Sequence, residues 1–198
     1  MYCNFIVYIF ADERDSRPFV YLYYEHAVNQ NKLSCAKLFF MLKPKEQFIC
    51  DQCGQVINSP EEGYVEWLDS DDNKTSSGFR IVHQYVHSPL KAVNEAGCYK
   101  YNKIPGRRDV PLDHFLEIAQ TYLLSFLDKG KYVDSKANCR ISDFREYTEF
   151  ARRLTIPYYE EARFYMKDAY SDNEFDGCEM SVYTEETFKY IIEKYANK

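Results

Sequence analysis

Cysteine and histidine, the side chains that bind soft metals, are gathered in the middle of the chain. Cys50-Asp51-Gln52-Cys53-Gly54 is a CxxCG turn, and His83, His87 and Cys98 follow it. Such a turn lets two thiolates converge while backbone amides point at the sulfurs, and Gly54 permits the close approach. Thiolate and imidazole together are the donors that tetrahedral zinc prefers.

The other half of the site depends on local structure. His83 and His87 share a face only on a helix, whereas Phe79-Arg80-Ile81-Val82 and Tyr85-Val86 favour strand. Four residues of strand span about 13 Å, too far for both imidazoles to reach one ion. A strand that ends at His83, with Cys98 on its neighbour, closes a tetrahedron more naturally. The expected ligands are therefore Cys50, Cys53, His83 and Cys98, with His87 as the substitute for either of the last two. Four protein ligands leave no open coordination position, so the expected cofactor is a structural zinc ion.

Other chemistries for these residues fit less well. His83-Gln84-Tyr85-Val86-His87 has the spacing of the zinc-protease HExxH, but Gln84 stands where the general-base glutamate must be, and an amide cannot take a proton from metal-bound water. The zinc-deaminase pattern lacks its His-x-Glu and the proline before the first cysteine. A redox dithiol needs the CxxC at a helix N-terminus, and strand formers flank this one on both sides. Two acidic runs resemble calcium loops in part. Asp69, Asp71 and Asn73 are followed by Lys74 and Arg80 where glycine and glutamate are required, and Asp172, Glu174, Asp176 and Gly177 end on Tyr183; both read as solvated loops. His26 and His114 read as surface or capping residues, and Cys139 and Cys178 as small buried ones.

These residues must be held by elements that the hydrophobic pattern also predicts. Phe5 to Phe10 and Phe19 to Tyr24 are strand-like runs separated by a charged turn, and His26 to Lys37 is compatible with helix. Met41 stands just before the CxxC, so the first forty residues read as an extension or an upstream start. From Gln47 to Tyr101 strands and turns alternate: Phe48-Ile49 and Gln55-Val56-Ile57 as the two arms of the knuckle, then Tyr64 to Leu68, Phe79 to His83 and Gly97 to Tyr101. Tyr101 to Val110, with Pro105-Gly106-Arg107-Arg108, reads as a linker. Beyond it the period becomes helical. One apolar face runs from Leu112 to Leu127. A second helix covers about Asp143 to Leu154 with Ser142 as N-cap, a third opens at Pro157, and a last one starts at the N-cap Thr184. The expectation is an α+β protein in three parts: residues 1–45, an N-terminal extension; 46–104, a small zinc-ribbon-like β module; and 105–198, a helical module of about four helices.

Composition narrows the function classes. Nineteen Tyr and fourteen Phe against one Trp imply a core built largely of rings, with tyrosines at its boundary. A formal net charge of −6 works against a phosphate backbone, since nucleic-acid affinity comes from clustered Lys and Arg. Lys100, Lys103, Arg107 and Arg108 are the best basic cluster and read as a solvated linker. No stretch approaches the roughly 18 apolar residues of a membrane span. Seven cysteines without a secretory leader point to the cytoplasm, where CxxC serves metals or redox chemistry rather than a disulfide framework.

Two segments together carry a resemblance. Phe48 to Gly54 with Gly63-Tyr64-Val65-Glu66-Trp67 and Gly78 to His83, and later Leu154-Thr155-Ile156-Pro157-Tyr158-Tyr159-Glu160-Glu161-Ala162-Arg163, resemble a set of short bacterial proteins of unassigned function. The likeness covers roughly residues 46 to 198. It implies a metal knuckle followed by helices and carries no activity with it. The reading that results is a non-enzymatic cytosolic binding or adaptor protein with a structural zinc and a protein partner, whose surface is the Tyr158, Tyr159 and Tyr165 helix if those rings are exposed, the other reading being that they are core. The alternatives are an enzyme with a cleft between the modules using helix-borne carboxylates such as Glu160 or Glu161, and nucleic-acid binding through the zinc module and Arg107-Arg108.

Overall fold

Apolar strand formers on either side of a charged turn give the first element. In the computed structural model, which describes residues 6–12, 15–23, 41–72, 74–136, 138–175 and 182–196, β1 (Ile6–Asp12) and β2 (Asp15–Tyr23) form an antiparallel hairpin. Ile6 lies opposite Tyr23 and Phe10 opposite Phe19, and the register slips between Phe10 and Asp12. Pro18 falls in that slipped stretch, where a residue without an N–H breaks no ladder bond. This hairpin belongs to one compact unit, Met1–Met41, and the rest of the chain, Leu42–Lys198, forms a second. The helix expected over His26 to Lys37 lies outside the described residues.

In the second unit the sheets precede the helices, and the fold is α+β. A two-stranded ladder joins β3 (Phe48–Ile49) to β4 (Val56–Ile57), and a three-stranded antiparallel sheet runs β6–β5–β7, with β5 (Gly63–Asp69) between β6 (Ser76–His83) and β7 (Arg107–Pro111). Six α-helices follow among the described residues: α1 (Leu112–Glu117), α2 (Ala119–Leu127), α3 (Phe144–Thr155), α4 (Tyr159–Ala162), α5 (Met166–Ser171) and α6 (Glu185–Tyr195). Helix α3 lies on β6, α4 packs against β3, α3 and α6, and α1 sits beside β5 and β7.

Period-two alternation puts Val65 and Trp67 of β5 on one face with Phe79 and Ile81 of β6, all four buried. Phe79 is the hub of the aromatic core. Its ring stacks on Phe150 of α3 at 5.1 Å and meets Phe126 of α2 edge-on at 5.0 Å, with Tyr147 at 5.5 Å and Trp67 at 6.3 Å. The ring-rich composition is thus spent on joining the sheet to α2 and α3.

The structure departs from the sequence reading in several elements. The stretch read as a linker supplies β7, with Val110 opposite Val65 and Arg108 opposite Trp67. Gly97 to Tyr101, expected as a strand, is a run of turns. Its amides are satisfied without a ladder: those of Gly97 and Tyr99 donate to the Asn94 and Ala96 carbonyls at 2.8 and 3.0 Å, and that of Lys100 donates to Glu66 Oε1 at 3.0 Å. Ile118, at φ −127° and ψ 35°, splits the first helical stripe, and the break lets both halves bury their apolar residues, Leu112 and Phe115 from α1 and Leu123 and Phe126 from α2. Tyr158 takes a left-handed conformation, φ 65°, so the third helix starts two residues after Pro157 and ends after one turn.

Helix α3 is capped by Asp143, whose carboxylate accepts from the Arg145 and Glu146 amides at 2.8 and 3.1 Å. Ser142, the expected cap, instead turns its hydroxyl toward the Ser76 carbonyl at 3.4 Å. Asp143→Ala is expected to cost about 1 kcal/mol, a fall of roughly 2–4 °C in melting temperature for a unit of this size. Ser142→Ala is expected to leave the melting temperature nearly unchanged, and the reverse order of effects would assign the cap to Ser142. Thr184 caps α6 as the sequence implies, its side chain accepting from the Thr187 amide, and Phe188, Ile191, Ile192 and Tyr195 are buried.

Candidate metal centre

The turn between β3 and β4 is built by local backbone bonds. The Cys50 amide donates to the Gln55 carbonyl at 3.0 Å, and the Gly54 amide returns to the Cys50 carbonyl at 2.9 Å. Gly54 sits at φ 71°, a conformation that other residues resist, and this brings Cys53 back toward Cys50. The Gln52 amide points at the Cys50 sulfur at 3.5 Å.

Two further elements deliver the remaining donors. His83 is the last residue of β6, on the same face as Ile81 and buried. Cys98 lies in the turns that lead back from Tyr85 and is fully buried. The donor atoms of Cys50, Cys53, His83 and Cys98 all lie within 4.8 Å of one another. His83 Nδ1 is 3.5 Å from the Cys53 sulfur and 3.8 Å from the Cys98 sulfur. This Cys3His group is able to hold a metal ion, and it is the one such Cys/His/Asp/Glu group among the described residues.

The shell behind the donors orients them. His83 Nε2 is 3.2 Å from the Val56 carbonyl. A carbonyl only accepts, so Nε2 carries the proton and Nδ1 presents its lone pair to the sulfurs. Ser88, also buried, has its hydroxyl 3.0 Å from the Cys98 sulfur and accepts from the Leu90 amide at 3.1 Å. A deprotonated, metal-bound sulfur has no proton to give, and toward it the Ser88 hydroxyl would be the donor. A hydrogen bond from the Cys53 thiol draws the Cys50 pKa down to about 3 against burial. The same bond, and then burial, push Cys53 up. Burial likewise raises Cys98, with the Ser88 hydroxyl opposing it. Three thiols crowded around one imidazole cannot all ionise without a cation among them.

His87, named as the substitute ligand, stands outside the group. It ends a short 3-10 turn, Tyr85–His87, and is exposed. The strand reading of Phe79 to His83 therefore decided between the two histidines. The CxxC is flanked by strand on both sides, the context that a redox dithiol at a helix N-terminus lacks.

The acidic and basic candidates prove to be paired with protein groups, Asp69 and Arg107 within the fold and Asp172 and Arg108 at its surface. Asp69 is buried and accepts from Trp67 Nε1, Ser76, Arg108 and Arg140, which leaves no face for calcium. Asp172 accepts from the Tyr195 hydroxyl at 3.0 Å and Glu174 pairs with Lys194 and Tyr190; Asn73, Asp176 and Gly177 lie outside the described residues. Arg107 binds Glu66 at 3.4 Å and Asp109 at 2.6 Å, and its guanidinium covers the Tyr99 ring. Of the two readings of the tyrosines, core holds for two: Tyr159 is 4% and Tyr165 9% exposed, and Tyr158 alone of the three is partly accessible.

Glu160 and Glu161, expected as surface charges or as catalytic carboxylates, are both buried. Glu161 accepts from the Leu42 amide at 2.7 Å, and burial raises its pKa. Glu160 receives Arg153 through two bonds, at 2.7 and 3.0 Å, and the Ile49 amide at 2.8 Å. Arg153 also binds both oxygens of Asp51, at 2.9 and 2.8 Å, and the Ile49 carbonyl at 3.1 Å. Pattern reading missed Arg153, Asp51 and Ser88. Arg153 lies beside the apolar stripe of α3, three residues after Phe150, and the Ser88-Pro89 pair marks a turn; those were the available signals.

No protein-family model, curated protein or solved structure matches the chain, so the centre is interpreted from its own geometry. No helix among the described residues is long and apolar enough to cross a membrane.

Proposed function

We propose that Cys50, Cys53, His83 and Cys98 hold a structural zinc ion, and that the protein is a non-enzymatic cytosolic binding or adaptor protein with a protein partner. The observation that carries the proposal is the closed set of four buried or half-buried donors. Zinc–sulfur and zinc–nitrogen bonds of about 2.3 and 2.0 Å imply a nitrogen–sulfur edge of about 3.5 Å in a tetrahedron. Of the three such edges at His83 Nδ1, those to Cys53 and Cys98 measure 3.5 and 3.8 Å, and the one to Cys50 lies within 4.8 Å. Three thiolates select a soft or borderline ion over calcium or magnesium.

A metal with four protein ligands has no position for substrate or water, which favours a structural over a catalytic role. Glu160 points the same way, since its two oxygens are held by Arg153 and Ile49. A protein partner is favoured over nucleic acid by the charge of −6 and by the carboxylates that engage Arg107 and Arg108. Reduced thiols at the centre suit the cytosol.

Protein purified without chelator is expected to carry about one zinc per chain. Cobalt in its place should give the strong visible absorption of tetrahedral thiolate coordination. His83→Ala is expected to lose the metal and His87→Ala to retain it in full. Metal content near zero in the unmodified protein would sink the proposal, and loss on His87→Ala with retention on His83→Ala would overturn the ligand set.

A further inference from the structure

Cys50 is held between two residues that the helical half grips. On one side, Ile49 gives its amide to Glu160 of α4 at 2.8 Å and receives Arg153 of α3 on its carbonyl at 3.1 Å. On the other, Asp51 has every polar group engaged. Its amide donates to the Ile81 carbonyl at 2.9 Å, and its carbonyl accepts from Arg80 at 2.9 Å. Its carboxylate takes the Ile81 amide at 2.7 Å together with both bonds from Arg153, while Arg163 lies at 3.7 Å. Asp51 thus lies between the two cysteines of the knuckle and ties it at once to β6 and to α3.

Arg153 is the common member. It is 5% exposed, and its guanidinium is shared between Asp51 and Glu160. A buried guanidinium keeps its place only while its partners keep theirs, because a charge left unpaired in the interior is strongly unfavourable. If the knuckle loses its shape, Asp51 and the Ile49 carbonyl move away and Arg153 retains only Glu160. The helices α3 and α4 are then held by a half-satisfied network.

From this geometry we propose that Asp51, through Arg153, couples metal occupancy of the centre to the docking of α3 and α4. Loading the ion tightens both helices, and removing it loosens them. This rests on the metal reading given above and goes beyond it, since a purely local staple would steady the knuckle alone. Asp51 is not a ligand in this scheme. It transmits the state of the sulfurs on either side of it to the helical half.

Hydrogen exchange followed by mass spectrometry tests the coupling on the full chain, zinc-loaded and chelated, as wild type and as Asp51→Asn. Chelating the wild type is expected to raise exchange about tenfold or more in the amides of α3 and α4 as well as in β3 and β4, which corresponds to about 1.4 kcal/mol of coupling. In Asp51→Asn, α3 and α4 are expected to exchange faster even with zinc bound, and chelation is expected to raise exchange further only in β3 and β4. Unchanged exchange in α3 and α4 on chelating the wild type would overturn the coupling, and so would an equal rise throughout both proteins. Cobalt absorption of each protein separates the two claims: absorption without helix response removes the coupling and leaves the metal site, whereas no absorption removes both. If Asp51→Asn does not fold, the wild-type comparison decides alone, a response confined to β3 and β4 counting against the coupling and one that extends to α3 and α4 but spares α2 counting for it.

Discussion

Cys98→Ser is expected to lower the melting temperature by roughly 8–16 °C, and chelating the wild type should produce a fall of the same size. A ligand bound to the folded state alone stabilises it by about 4 kcal/mol when its free concentration is a thousand times the dissociation constant. For a unit of this size each kcal/mol is worth roughly 2–4 °C. Cys98 is the informative position because it is fully buried and comes from a different part of the chain than the knuckle, so its loss removes both a donor and the tie between Gly97-Cys98-Tyr99 and β6. Chelator should have little further effect on Cys98→Ser. Cys139, expected to be buried, is exposed and outside the group, and Cys178 lies outside the described residues; Cys139→Ser should melt with the wild type. A wild type whose melting is indifferent to chelation would show that the aromatic core around Phe79 holds the unit without the ion.

The donors were legible in the sequence because their signals are local. The CxxCG spacing, the glycine that allows φ 71°, and the strand formers that end at His83 each depend on a few neighbouring residues. Cys98 was legible for a partly mistaken reason. It arrives on turns whose Lys100 amide is held by Glu66, and no strand pairs with β6 there; Arg107–Pro111 adds its strand on the other side, beside β5. A backbone that bonds to distant side chains has no periodic signature. The partners of the helical half were hidden for the same reason. Asp51 and Arg153 meet across 102 residues of chain, and nothing in the pattern of either segment marks the other. Glu160 and Glu161 read as surface charges at a helix start, as adjacent glutamates usually are. What overrides that prior is the turn at Tyr158, a tyrosine at φ 65° that no propensity would choose. The strain is offset by the bonds it permits, since the turn sets Glu160 against Arg153 and Ile49.

Arg153→Ala is accordingly expected to be the most damaging single change away from the donors, at about 3–5 kcal/mol. It removes one guanidinium and leaves two carboxylates, Asp51 and Glu160, buried or nearly so, with only backbone amides and the more distant Arg163 to face them. Burial by itself works against the charge on Arg153, and Glu160 and Asp51 more than offset it, holding its pKa above the ordinary value. Urea unfolding would measure the effect as a lower midpoint with an unchanged slope. A loss below about 1 kcal/mol, the range of exposed pairs, would mean that water reaches the pair and that its burial is not what holds the helices. Arg153→Lys separates charge from shape. A lysine keeps the charge but cannot address Asp51, Glu160 and the Ile49 carbonyl together from one planar group. It should recover only part of the lost stability, and a full recovery would show that the geometry of the fork is dispensable and the charge sufficient.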